Sequence, residues 1–176
     1  MTSKERLLAT LNHQQPDRVC VDFGATSVTG IHVSIINQLW QRTFGQHDYI
    51  VKVIEPYQML GEIDPGLRDA LGIDVIGILG RKSLLGTDEE GNWKPFRLFD
   101  GTQVMIHHNL NFTIDPEKGD LLVYPEGDMS VGPSARMPKN GYFFDTIIRQ
   151  DPIDEENLNV NDNTEEFKPF SPDDIA

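Results

Sequence analysis

The sequence is poor in cysteine and in basic residues, and it has no long apolar run. Cys20 is the single cysteine among 176 residues, which excludes an intrachain disulfide and a cysteine-rich zinc motif. No stretch approaches the roughly 18 consecutive apolar residues that a membrane-spanning helix needs. The residues after Met1 are amphipathic and lack the apolar core of a signal peptide. These absences predict a cytoplasmic protein with no membrane partner.

Basic residues are too few for binding to polyanions. Lys and Arg number 15 against 28 Asp and Glu, a formal net charge of −13. Nucleic acids and anionic membrane surfaces attract clustered basic residues, so neither is expected as a partner. Acidic residues concentrate near the end, where 147–176 is predicted to be an acidic linker. It leads into a helix-start signal at Ser171-Pro172. Because this signal lies so close to the last residue, the chain is predicted to be the front part of a longer protein.

The first 86 residues alternate between helical and strand-like patterns. A capping box at Thr2 and Glu5 begins the first helix, and Gly45 suits the end of the second. Helices are predicted at 3–13, 31–44 and 64–72, and strands at 19–23, 49–54 and 73–79. Strands that alternate with helices through short links are typical of a parallel sheet covered by helices.

The pattern changes after Gly86 to short strands separated by turns. Strands are predicted at 93–98, 103–106, 112–114, 121–124 and 142–144. Asp100-Gly101 is a strong hairpin signal, and 115–119 forms a longer turn. Residues 87–146 are therefore predicted to be an antiparallel β-meander inserted in an α/β protein.

A small-residue loop between the first strand and the second helix is the leading candidate binding site. It offers Gly24, Thr26, Ser27 and Thr29, and His32 follows at the start of the helix. Open sheets and barrels bind their ligands in loops at the carboxyl ends of parallel strands. The loop lacks the glycine pattern of dinucleotide-binding proteins and the Gly-Lys-Ser/Thr of a P-loop. The alternative is that its hydroxyl groups only cap the helix.

Other chemistry-bearing residues favour structural roles. The five histidines show no recognised metal-ligand spacing, and Cys20 lies among apolar neighbours. Asp22 and Asp74 lie inside apolar segments, where a carboxylate needs a partner or has a catalytic role. Arg136 is interpreted as half of an ion pair, with anion binding as the alternative. The catalytic residues are left unknown, and no metal site is predicted in this chain.

Several motifs together resemble one family. Ser3-Lys4-Glu5-Arg6, Pro16-Asp17-Arg18-Val19, Asp22-Phe23-Gly24 and Thr29-Gly30-Ile31-His32 resemble the amino-terminal part of the uroporphyrinogen decarboxylase superfamily. Leu71-Gly72-Ile73-Asp74-Val75, Tyr124-Pro125-Glu126-Gly127-Asp128 and the segment 137–145 look like its decarboxylase-like, corrinoid methyltransferase branch. Each motif is short, but the order and spacing of the set are fairly specific.

The resemblance implies part of a (β/α)₈ TIM barrel. A whole barrel needs about 250 residues, so 1–86 would supply its first βα units and 87–146 an antiparallel β-meander insertion. True uroporphyrinogen decarboxylases carry Arg-Gln-Ala-Gly-Arg where this chain has Gly24-Ala25-Thr26-Ser27-Val28, which argues against tetrapyrrole decarboxylation. The methyltransferase branch holds zinc with a His-x-Cys pair and a distant Cys in the later half of the barrel. This chain has no His-x-Cys, so zinc and a corrinoid are implied only for a full-length relative.

Two functional hypotheses remain open. The first is the amino-terminal portion of a methyltransferase that moves a methyl group between a corrinoid and a thiol, inactive without the zinc-bearing half. Its partner would be a corrinoid protein or a small-molecule methyl acceptor. The second is a non-catalytic barrel relative that docks a corrinoid protein or a partner chain. An unclosed sheet exposes an edge and an apolar face, so a second chain or a homodimer is expected to complete it.

Overall fold

The computed structural model describes residues 1–24, 26–78, 83, 85, 91–148 and 154–158. The chain divides into two compact units, Met1–Thr146 and Ile147–Ala176. In the second unit, Asp154 closes a small turn by accepting hydrogen bonds from Glu156 and Asn157. The predicted helix start at Ser171 lies outside the described residues.

The described residues of the first unit form three α-helices, which begin and end close to the predicted residues. They are α1 (Ser3–Leu11), α2 (Val33–Phe44) and α3 (Pro65–Leu71). Thr2 and Glu5 form the expected capping box on α1. Gly45 and Gly72 end α2 and α3 in the left-handed conformation, with φ of 66° and 65°. None of the described helices is long and apolar enough to cross a membrane.

The strands form small antiparallel sheets. They are β1 (Val53–Glu55), β2 (Leu60–Gly61), β3 (Trp93–Arg97), β4 (Gln103–His107), β5 (Phe112–Ile114), β6 (Leu121–Val123), β7 (Ala135–Met137) and β8 (Asp145–Thr146). β1 pairs with β2, β3 with β4, and the last four strands form a sheet in the order β5-β6-β7-β8. The β3–β4 hairpin turns at Asp100-Gly101 as predicted, and its register runs from Trp93 opposite His107 to Arg97 opposite Gln103. The protein is therefore mixed α/β.

Two predicted strands do not form, and a third is displaced. Residues 19–23 and 73–78 belong to no ladder, and Leu79 lies outside the described residues. One backbone hydrogen bond joins these two segments, from the Asp74 N–H to the Val21 carbonyl (2.8 Å). The predicted strand 49–54 is shortened and displaced to Val53–Glu55, where its partner is the antiparallel β2. The described residues show parallel pairing only as the isolated bridge between Lys52 and Met105.

The end of the meander also differs from the prediction. The predicted strand 142–144 is absent, because Phe144 turns inward and its N–H bonds the Tyr57 carbonyl at 2.8 Å. β8 follows instead, and β7, which the sequence did not predict, lies between β6 and β8. The aromatic run is therefore a packing element of the core.

One continuous apolar core joins α2, α3, the β1–β2 pair and the meander. Its residues with no exposed surface are Val33, Ile36, Val51, Val53, Met59, Leu67, Val104 and Val123. The core positions the loop that follows residue 23, because α2 comes directly after this loop in the chain and packs against the β1–β2 pair.

Candidate functional site

The loop between residues 24 and 30 begins at a glycine that its geometry requires. Gly24 has φ of +80°, and its N–H donates to the Thr29 carbonyl at 2.8 Å. A Cβ at this position would lie 2.6 Å from Cδ1 of Ile63, closer than side chains approach one another. Both the positive φ and the close approach therefore favour glycine.

The predicted hydroxyl residues are used mainly within the loop. Oγ1 of Thr29 donates to Oδ1 of Asp22 (3.1 Å) and accepts from the Thr26 N–H (3.2 Å). Oγ1 of Thr26 accepts from the Val28 N–H at 3.2 Å. Ser27 is exposed, and its carbonyl accepts a long hydrogen bond from the Gln58 amide (3.4 Å). These bonds hold the loop in shape, but none of the hydroxyl groups caps α2.

His32 is the residue that caps α2. Its Nδ1 accepts from the Ser34 N–H (3.2 Å) and lies 2.8 Å from the Ser34 hydroxyl. Its Nε2 lies 2.8 Å from the Tyr142 carbonyl, which is only an acceptor, so Nε2 carries the hydrogen. The Tyr142 ring meets the imidazole edge-on, with centroids 5.5 Å apart. His32 thus fastens the segment before β8 to the start of α2, with both ring nitrogens engaged.

A cleft of about 150 Å³ opens beside Gly24. Of the five residues predicted to bind a ligand, Gly24 is the one that lines it. Its walls are Phe23, Gly24, Ile54, Glu62, Ile63, Arg68, Ile73, Val75, Ile76 and Gly77. The cleft is therefore mostly apolar, with one acid and one base.

The two charged residues of the cleft have unequal partners. The Glu62 carboxylate pairs with Nζ of Lys52 at 3.3 Å. The Arg68 side chain is 28% exposed, and its Nε lies 3.7 Å from a carboxylate oxygen of Asp69, itself strongly exposed. That separation exceeds the length of a hydrogen bond. Arg68 was not singled out from the sequence, where a basic residue on a short helix resembles any solvated charge.

Asp74 is the most heavily hydrogen-bonded acid in the described chain, and its side chain is fully buried. Burial alone would raise the pKa of this carboxyl group, but the donors around it hold the pKa well below its usual value of 3.8. The donors are the Val21 N–H, the Ser3 hydroxyl and the guanidinium groups of Arg18 and Arg6. These contacts support the interpretation that Asp74 is a structural residue with hydrogen-bonding partners.

Arg6 extends this cluster to a second acid. Its Nε and Nη2 donate to the two carboxylate oxygens of Asp17, at 2.7 and 3.0 Å. These hydrogen bonds hold the pKa of Asp17 well below its usual value of 3.8. Arg6 therefore joins α1 to both Asp17 and Asp74. The cluster ties α1 to segments 19–24 and 73–78 at the point where they meet.

The two segments that meet at Asp74 leave apolar side chains in water. Val19 is 79% exposed, Ile76 69% and Ile78 100%. Phe23, at the rim of the cleft, is also half exposed. We call segments 19–24 and 73–78, with these side chains, the open edge. Exposed apolar side chains on backbone that belongs to no β-ladder are typical of a surface that another strand or chain covers.

The remaining candidates of the sequence also have definite surroundings. Arg136 lies 3.7 Å from a carboxylate oxygen of Asp120, the ion pair that the sequence favoured. Cys20 is a free, half-buried thiol. Within the described ranges, no three His, Cys, Asp or Glu side chains lie close enough together to hold a metal ion.

Comparison of the chain with models of protein families, with curated proteins and with solved structures found no match. The resemblance to the uroporphyrinogen decarboxylase superfamily therefore stays a prediction.

Proposed function

We propose that this chain is the amino-terminal portion of a uroporphyrinogen decarboxylase-like methyltransferase, with segments 19–24 and 73–78 as strands of its α/β barrel. The open edge is the observation that carries the proposal. The segments touch through the Asp74 N–H and the Val21 carbonyl, yet they pair in no ladder and leave Val19 and Ile78 exposed. Barrel strands without neighbours have these properties, because closing a barrel supplies the missing hydrogen bonds and covers the side chains.

The cleft supports the same proposal. It adjoins Gly24, at the carboxyl end of segment 19–24, and barrel enzymes bind substrates at the carboxyl ends of their strands. The loop residues Thr26, Ser27 and Thr29 would then lie at the mouth of the barrel. His32 would contribute by fixing the start of α2 and not by contacting substrate, since both of its ring nitrogens are engaged.

The described residues fit neither zinc nor a corrinoid by themselves. They provide no cluster of three metal-ligating side chains. The cleft, at about 150 Å³, is far smaller than the pockets of about 300–1,000 Å³ that hold drug-sized ligands, and a corrinoid is larger still. Zinc and the corrinoid would be held by other parts of the proposed enzyme or by a corrinoid protein. This chain would contribute the loop that begins at Gly24 to the mouth of the barrel, where a small methyl acceptor such as a thiol would bind.

The proposal is tested by reading the coding DNA beyond the codon for Ala176 and expressing the extended chain. We expect the DNA to encode a His-x-Cys pair and a distant Cys. We expect the extended chain to transfer the methyl group of methylcobalamin to a thiol when zinc is supplied. Amide hydrogen exchange at 19–24 and 73–78 should be slower in the extended chain, because new strands protect these amides. A stop codon in place of such a segment, or unchanged exchange, would contradict the proposal.

The open edge also favours a second candidate, a non-catalytic barrel relative that pairs with another chain. If so, the isolated chain forms a stable dimer, and Ile78→Lys dissociates it by placing a charge in the apolar contact. Val28→Lys is the matched control, because Val28 is also strongly exposed but lies in the loop outside the open edge. Sedimentation velocity measures both. A monomeric wild-type chain would exclude self-pairing as its function.

A further inference from the structure

We propose that the cleft beside Gly24 binds a small branched carboxylate, with Arg68 as the residue that holds its charge. The proposal goes beyond the function above, since the cleft and Arg68 are present whether or not the chain takes part in methyl transfer. Three observations carry it: the incomplete pairing of Arg68, the neutralisation of Glu62, and the apolar walls with their limited volume.

Arg68 is more buried than its contacts account for. Nearly three quarters of the side chain is covered, yet its one acid contact in the described part of the chain is the 3.7 Å approach to Asp69. A guanidinium carries five N–H donors in a planar fork that matches the two oxygens of a carboxylate. Burying such a group without acceptors is unfavourable. A carboxylate in the cleft would supply the missing acceptors.

The charges around the cleft select an anion over a cation. Glu62 also lines the cleft, but Lys52 neutralises it at 3.3 Å. Asp69 is exposed and does not line the cleft, so water screens it. The uncompensated charge at the wall is therefore the positive one of Arg68.

The walls and the volume define the rest of the ligand. The apolar lining consists of Phe23, Ile54, Ile63, Ile73, Val75 and Ile76. The space of about 150 Å³ is comparable to a cavity that holds one benzene molecule. A branched chain of four or five carbons, similar in size to benzene, fits that space, whereas a nucleotide does not. Isovalerate is thus a suitable probe.

The test compares isovalerate with isovaleramide, which has the same shape and no charge. Each is titrated into the full chain labelled with ¹⁵N, and the shifts of backbone amides are followed by NMR. We expect saturable shifts for amides around the cleft, with isovalerate about tenfold tighter than the amide, as suits one charge-assisted interaction. We expect Arg68→Met to remove the preference for isovalerate and Arg68→Lys to keep part of it.

The matched control is Arg97→Met, which removes an exposed guanidinium that donates to the Gly101 carbonyl and lies outside the cleft lining. It should leave the preference for isovalerate unchanged. Equal affinity for the two probes, a preference that survives Arg68→Met, or no saturable shift with isovalerate would overturn the inference. If Arg68→Met does not fold, the comparison of the two probes on the wild-type chain and on Arg68→Lys decides the question. None of these results depends on methyl transfer, so the two proposals fail independently.

Discussion

The meander at 91–146 and the open edge are both apolar, but only the meander pairs its strands. In the meander each strand pairs with a strand next to it along the chain, as β3 does with β4 across Asp100-Gly101. The segments of the open edge are separated by about 50 residues, and they share one backbone hydrogen bond and a buried carboxylate. Apolar side chains are covered by sheet packing in the meander, whereas several remain exposed at the open edge.

The difference shows that apolar patterning alone does not make a strand. An antiparallel hairpin carries its partner within a few residues, so local sequence satisfies its backbone groups. A parallel strand needs partners far along the chain or on another chain. Segments 19–24 and 73–78 thus have the composition of buried strands without the neighbours that would bury them. The following predictions test this contrast, starting with the largest expected effect.

Removing a core ring from the meander should cause the largest loss of stability. Phe144 is 1% exposed and stacks on Phe112 with a centroid distance of 5.7 Å. We expect Phe144→Ala to lower the free energy of unfolding by about 3–5 kcal/mol, from lost apolar burial and the cavity that remains. Urea denaturation measures it. Phe143→Ala is the control, because its neighbouring ring is 58% exposed, and equal losses for the two variants would contradict the described packing.

The region before the meander should depend on one carboxylate. We expect Asp74→Asn to lower the Tm by about 10 °C, because two arginines and a backbone N–H lose their shared charged acceptor. Asp69→Asn is the control, since Asp69 is exposed and makes only a loose contact with Arg68. Thermal unfolding followed by circular dichroism measures both. A Tm shift no larger than that of the control would show that the buried cluster does not hold the open edge together.

Acid should weaken the same cluster. The native pKa values of Asp74 and Asp17 lie below the usual 3.8, so the stability they contribute is fully present above that value. It is lost as the pH falls through 3.8 toward the native values, because the unfolded chain then binds more protons than the native one. We expect the free energy of unfolding to fall between about pH 5 and pH 2, less steeply in Asp74→Asn. Parallel pH profiles of the two proteins would contradict this.

The smallest effect is expected at His32, which joins the meander to the start of α2. His32→Ala removes the N-cap of α2 and the bond to the Tyr142 carbonyl, and should cost about 1–2 kcal/mol. His32→Asn keeps a capping side chain and should recover about half of that loss. Equilibrium unfolding separates the two variants. If neither variant changes stability, His32 is not structural and returns as a candidate for contact with substrate.

Local features were predictable because a few neighbouring residues determine them. Helix ends are set by hydrogen bonds and backbone conformations confined to one turn. Examples are Thr2 with Glu5, Asp64 with Pro65, and the glycines after α2 and α3. The hairpin turn at Asp100-Gly101 was predictable for the same reason. By contrast, β7 (Ala135-Arg136-Met137) lacks the β-branched and aromatic residues that favour strands, and its pairing with β6 and β8 makes it one.

The candidate site was only partly predictable from sequence. Gly24 was found because loops after strands bind ligands, and it does line a cleft. His32 was expected to face a ligand, but its partner Tyr142 lies 110 residues away. Arg68 was missed, because the cleft that it lines is formed by residues from three parts of the chain.

The sequence by itself determined the helices, most of the meander and the acidic character of the chain. Each of these follows from short-range hydrogen bonding, side-chain periodicity or composition. Only the tertiary structure decided that 19–24 and 73–78 belong to no β-ladder, that Asp74 is a buried acceptor and that Arg68 lines a cleft. These outcomes depend on contacts between residues that are far apart in the chain. Such contacts contribute to stability only when the chain has folded and brought the residues together.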